Sequence, residues 1–144
     1  MKKVTALLLA LTFLTVGSAF AMDKGDKQKG LEEKFSAKAG MVKMHGEEAG
    51  LTEKQVQEVK DLKYTTQKQI VEMDAKIESL KLDIWQALYE KPADLAKIDA
   101  LIDQKYEIKK QKSKLLAEAY VTVCNIPTKE QWKKIKSAKH SKSR

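Results

Sequence analysis

From Thr52 to Glu90 the chain runs without a glycine or proline, and its apolar residues return at alternating steps of three and four. The positions so spaced are Val56, Val59, Lys63, Thr66, Ile70, Met73, Ile77, Leu80, Ile84 and Ala87, all apolar except Lys63 and Thr66. That period belongs to a long amphipathic helix with a coiled-coil-like seam rather than to a strand or loop. A second stripe lies beside it, with Tyr64, Val71 and Trp85 separated by multiples of seven. At 1.5 Å per residue such a helix is roughly 58 Å long. It is too long to fold back on a compact globule, so it must pair lengthwise with another element.

Lys91-Pro92-Ala93-Asp94 interrupts it. Pro92 cannot continue a helix but fits the first turn of the next, where Asp94 favours the positive end of the helix dipole. The second long helix is expected from about Ala93 to Val123. Leu95, Ile98, Leu101 and Ile102 make one end apolar, and Leu115, Leu116, Ala119, Tyr120 and Val123 the other. The middle, Asp103 to Lys114, keeps only Tyr106 and Ile108 among Lys105, Lys109, Lys110, Lys112 and Lys114. A helix buried along its whole length would not carry those lysines, so part of this stretch should face solvent or a shallow surface.

Two short patterns mark helix starts. Thr52-Glu53-Lys54-Gln55 and Thr128-Lys129-Glu130-Gln131 are both Thr-x-x-Gln. A Thr at the N-cap accepts from the backbone N–H three residues on, and a Gln there reaches back to the cap's own N–H. Thr52, Gln55, Thr128 and Gln131 are therefore read as structural caps. The second opens a last helix after Asn125-Ile126-Pro127, with Trp132 and Ile135 on one side and a basic, frayed tail from Lys136. Residues 31–45 suit a short helix with Leu31, Phe35, Ala39 and Val42 on one side, weakened by Gly40. Residues 22–30 read as a flexible leader. Strand signals are missing: there is no alternating β-branched run and no Asn-Gly hairpin. The fold class is all-α, a long antiparallel hairpin with short flanking helices.

The first residues read as a secretory signal. Lys2 and Lys3 precede an apolar run from Val4 to Val16, and Ala19-Phe20-Ala21 is a small-x-small cleavage site, placing the mature start at Met22. Residues 1–21 are thus a signal peptide rather than a stable membrane anchor. No Cys follows the apolar run, so no lipid-attachment site is indicated. The expected compartment is the periplasm. Removing the signal leaves one domain's worth of chain, divided into the leader 22–30, a helical domain 31–138 and a basic tail 139–144.

The net charge of the whole chain is +8, with two of its lysines in the signal. Basic surfaces often serve nucleic acid, but export argues against that partner. Anionic membrane surface, acidic patches on proteins, or simple solvation of helix faces remain. Cys124 is the only cysteine and cannot form an internal disulfide. It is a buried free thiol, an intermolecular bridge or a metal ligand.

With the export signal, the one-domain mature chain and the two Thr-x-x-Gln copies, the sequence resembles the Spy/CpxP family, also called the LTxxQ family. The resemblance spans about Leu31 to Ala138. Leu51, Thr52 and Gln55 match the first motif; Thr128 and Gln131 match the second, with Pro127 in place of its leucine and Ile126 one step earlier. The resemblance implies a cradle-shaped, all-helical homodimer whose hairpins pair antiparallel around a concave face that is basic with apolar patches. It also implies the tasks found in the family: ATP-independent chaperone, envelope-stress regulator acting on a sensor kinase, or metal-responsive protein. An exported chaperone of the Skp type would need a strand-built assembly domain, for which there is no pattern.

The favoured reading is a holdase-type chaperone for unfolded or misfolded proteins, needing no cofactor. Its candidate client contacts are Phe35, Met41, Met44, Lys105, Ile108, Lys109 and Lys112. Lys60, Lys63 and Lys68, with the lysines of the second long helix, would form a basic trough that draws in net-negative clients before apolar contacts form. The alternative is an envelope-stress or metal-responsive adaptor that binds a sensor protein or a metal ion. Met41, Met44 and His45 are its candidate metal ligands, because thioether and imidazole together suit Cu(I). The chain lacks richer His or Cys clusters, and the methionines alternatively pad an adaptable apolar surface. Tyr64, Trp85, Tyr106 and Trp132 are read as packing residues. Nothing resembles a phosphate loop, a Cys–His pair or a Ser-centred elbow, so the chain is not expected to be an enzyme.

Overall fold

A computed structural model describes residues 26–141, with side chains described at 30–139. The expected signal peptide, the Met22 start, the first part of the leader and residues 142–144 lie outside the described residues. Four helices follow one another: α1 (Asp26–His45), α2 (Glu53–Tyr89), α3 (Leu95–Asn125) and α4 (Lys129–Ser141). The described residues contain no strand.

α2 begins where its cap pattern predicts. Thr52 Oγ1 accepts from Gln55 N at 3.2 Å, and Thr52 N donates to Gln55 Oε1 at 3.0 Å. Every position of the heptad stripe turns inward. Val56, Val59, Thr66, Ile70, Ile77 and Ala87 are buried, and Lys63, Met73, Leu80 and Ile84 are half-buried. The partner along this stripe is α3. Glu90 pairs with Lys97 near the connecting turn, Asp74 with Lys112 further along, and Gln55 with the Ile126 carbonyl at the far end. These pairings run in opposite chain directions, so α2 and α3 pack antiparallel.

The turn between them differs from the expectation. α3 starts at Leu95, not Ala93, and Asp94 is its cap. Asp94 Oδ1 accepts from the N–H groups of Ala96 (2.9 Å) and Lys97 (3.2 Å). Pro92 follows a cis peptide bond and lies in the turn rather than in the first helical turn. A short acceptor ahead of the helix satisfies its orphan donors better than a proline inside it.

α1 is longer than expected and takes in the last five leader residues as well as both of its glycines. A Cβ at Gly30 or Gly40 would meet nothing within 4 Å. Each glycine therefore carries only its propensity cost of about 1 kcal/mol, which packing of the apolar face outweighs. Gly46, just after α1, is required sterically, because a Cβ there would collide with the Val42 carbonyl oxygen; Gly50 has a φ of +81°. α4 likewise continues past Lys136, where fraying was expected, to Ser141. Ile135, fully buried, and Ala138, half-buried, hold that turn down.

The main core lies at one end of the α2–α3 pair, where α1 and α4 join it. Phe35, Ala39 and Val42 from α1 meet Val56, Val59 and Ile70 of α2, Leu116, Ala119 and Val123 of α3, and Ile135 of α4. The other end consists of α2 and α3 alone. There Ile77, Ala87 and Ile98 are buried between the two helices, and no third helix covers either outer face.

Candidate functional site

The outer face of α2 carries apolar side chains. Tyr64 (74% exposed), Val71, Leu82, Trp85 and Tyr89 (77% exposed) all face solvent. Eighteen residues make five helical turns, so Leu82 lies on the side of Tyr64 and Tyr89 on the side of Val71. Trp85 and Tyr89 stack with ring centroids 6.4 Å apart. Leu88 and Leu95 extend the apolar surface around the connecting turn. Tyr64, Trp85 and Tyr106, expected as packing residues, are thus mainly solvent-facing: Trp85 lies beyond the end that α1 and α4 cover, and Tyr64 is on the outer face of α2. Trp132 does pack: it is half-buried, its Nε1–H donates to the Cys124 carbonyl at 2.8 Å, and Lys38 Nζ sits 4.6 Å from its ring centroid.

The predicted client contacts fall into different environments. Phe35 is 1% exposed and belongs to the core, not to a surface. Its helical face is apolar for the sake of α2 and α3. Met41 is half-buried against the same core, whereas Met44 is exposed. On α3, Lys105, Ile108 and Lys109 are half-buried. Lys105 and Lys109 place their ammonium groups 4.8 and 5.2 Å from the Tyr106 ring centroid, within cation–π range. Beside them, Lys110 lies 3.1 Å from Glu107 and holds that carboxyl below the usual range through a hydrogen bond and its charge.

Lys112 is different in kind. Its side chain is 12% exposed, and its Nζ lies 2.8 Å from Asp74 and 3.5 Å from Glu32. It ties α3 to both α2 and α1 and presents little charge outward, so it is a structural tie rather than a client contact.

The metal candidates lie in different environments. Met44 is out in solvent while His45, the next residue, is buried. His45 Nδ1 has no hydrogen-bond partner, and its nearest carboxylate, Glu48, is 3.9 Å away. Among the described residues no three of His, Cys, Asp or Glu stand close enough to hold a metal ion. Cys124 is a half-buried free thiol. Its negative charge when ionised, then burial and a mutual hydrogen bond, push the Tyr120 phenol upward.

Both cap motifs are formed, and they also engage each other. Thr128 N donates to Gln131 Oε1 (2.9 Å) and Gln131 N to Thr128 Oγ1 (3.2 Å). Gln55 Nε2 donates to the Ile126 carbonyl (2.9 Å), Gln131 Nε2 to the Gly50 carbonyl (2.8 Å), and the two amides meet at 3.3 Å.

No family model, no curated protein and no solved structure matches this chain. The arrangement itself must therefore supply any reading of function. Its two surface features are the apolar stripe on α2 and the lysine–tyrosine cluster of α3. Leu82, Leu88 and Tyr89 were not singled out in the sequence, although the eighteen-residue return from Tyr64 and Val71 to Leu82 and Tyr89 was available there; Leu95, expected at the apolar end of its helix, is exposed instead. No described helix is long and apolar enough to cross a membrane.

Proposed function

We propose that this protein is an exported, periplasmic, ATP-independent holdase that binds unfolded or misfolded proteins as a homodimer. The observation that supports this most is the solvent-facing cluster Leu82, Trp85 and Tyr89 on the half of the molecule built from only two helices, with Val71 and Tyr64 further along the same face of α2. Contiguous exposed apolar surface marks an interaction site, and aromatic side chains suit one that accepts varied partners. Lysines of α3 add long-range attraction for net-negative chains. The resemblance to the Spy/CpxP family implies a cradle-like dimer and counts this task among the three found in the family.

The test is light scattering from a chemically denatured client diluted into buffer containing EDTA and no nucleotide, with and without the mature protein. Suppression of aggregation near one dimer per client supports the holdase. Absence of suppression by a sample with an intact helical circular dichroism spectrum would sink it and favour a regulatory adaptor bound to a sensor protein. In the same assay, client capture should slow as salt rises past roughly 0.15 M.

A further inference from the structure

We propose that the cleft between α1, the end of α3 and α4 binds a phosphate-bearing anion. The cleft holds about 380 Å³ and is lined by Lys38, Lys129, Lys133, Lys136, Trp132 and Cys124. On α4 the steps from Lys129 to Trp132, Lys133 and Lys136 are three, four and seven residues, so all four share one face. Ile135 on another face is fully buried and anchors the helix. Trp132 is fixed through its Nε1–H to the Cys124 carbonyl and through Lys38 above its ring.

One comparison within the molecule sets this cleft apart. Two other clefts mix their charges: one is lined by Glu47, Glu53, Lys54 and Lys60, another by Asp103, Glu107 and Lys110. Some lysines elsewhere have carboxylate partners, as Lys81 has Glu78, Lys97 has Glu90, Lys110 has Glu107 and Lys112 has Asp74. No carboxylate of the described residues lies within ion-pair distance of Lys38, Lys129, Lys133 or Lys136. Four like charges around one recess raise its positive potential and attract an anion. The donors are lysine ammonium groups with no arginine fork among them, three from one face of α4 and one from α1, and lysine point charges suit the oxygens of a phosphate. A free phosphate ester and an anionic phospholipid headgroup share that chemistry. The site is independent of the holdase reading, and its test does not use a client.

Cys124 lines the cleft and is the chain's only cysteine, so its alkylation by uncharged iodoacetamide reports occupancy. Inorganic phosphate is expected to slow that reaction severalfold relative to chloride at matched ionic strength. K133Q/K136Q, changed at two exposed positions, should lose the protection, while K60Q, in a mixed-charge cleft, should keep it. Vesicles of phosphatidylglycerol that protect Cys124 and float with the protein, where phosphatidylcholine vesicles do neither, would assign the headgroup as the source. Protection by phosphate without vesicle binding would assign a free anion. Equal protection by chloride or acetate, or undiminished protection in K133Q/K136Q with a native helical spectrum, would overturn the proposal.

Discussion

Gln55 and Gln131, 76 positions apart, each close the cap of their own helix and donate to the carbonyl two residues ahead of the other's cap threonine. The arrangement is reciprocal, so removing either amide leaves the opposite one and a backbone carbonyl short of a partner. Q55A and Q131A should each cost about 1–2 kcal/mol. Their combined cost should fall short of the sum by at least about 0.5 kcal/mol. Urea unfolding of the single and double variants measures this, and strict additivity would show that the two caps act separately. T52A and T128A remove only the hydroxyl acceptor and should cost about 1 kcal/mol each.

The stacked pair Trp85–Tyr89 stands in solvent on the two-helix half. Replacing both with alanine should leave stability of the isolated chain within about 0.5 kcal/mol of the parent, as for other surface changes. Suppression of client aggregation should drop severalfold. A variant that is equally stable and equally protective would remove the stripe from the client-binding surface.

Lys112 joins three helices through Asp74 and Glu32, and both carboxylates are partly solvated. Solvation limits each pair to about 1 kcal/mol or less. K112A, losing the buried stem as well, should cost about 1–2 kcal/mol, and K112M distinctly less because it keeps that stem. Neither should alter the salt dependence of client capture, whereas replacing Lys105 and Lys109 should flatten it. Stopped-flow capture rates at several salt concentrations separate the two groups.

Alkaline pH acts through Tyr120, whose ionisation is raised above its ordinary value of 10.0 by the Cys124 thiolate and by burial. A raised folded-state value means that the associated stability is complete below the unfolded value and is lost as pH rises through the folded one. In C124A the phenolate absorbance of Tyr120, isolated by subtracting the spectrum of Y120F, should titrate closer to the ordinary value. An unmoved midpoint would break the link. Glu107 has the opposite sign: its value is lowered beside Lys110, so its contribution is present above the unfolded value and fades as pH falls through the folded one.

Local chemistry was legible in the sequence wherever one short stretch determined it. The Thr52 cap, the break around Pro92 and the inward stripe from Val56 to Ala87 all follow from residues within a turn or two of each other. What periodicity cannot convey is whether a second helix covers a face. Phe35 and Trp85 both sit on apolar faces, yet one is sealed beneath α2 and α3 while the other is open, because α1 and α4 gather at one end. Lys112 and Lys110 are likewise indistinguishable as letters. Only the placement of Asp74 and Glu32 on neighbouring helices separates a tie from a solvated charge. The Gln55–Gln131 contact was hidden for the same reason, since each motif is complete as a cap by itself.

A purely apolar heptad seam could slide by seven residues, but on α3 such a slide would carry Lys109 and Lys112 into the buried places of Leu116 and Ala119, or Lys105 into that of Ile98. The amides of Gln55 and Gln131 and the ammonium of Lys112 have partners at only one alignment. Their consequence therefore exceeds their individual strengths. Together with the lysines in the middle of α3 they hold the pair to a single register. A chain stripped of all three should lose stability yet keep one set of amide resonances, because the misplaced lysines would still forbid the slipped alignment.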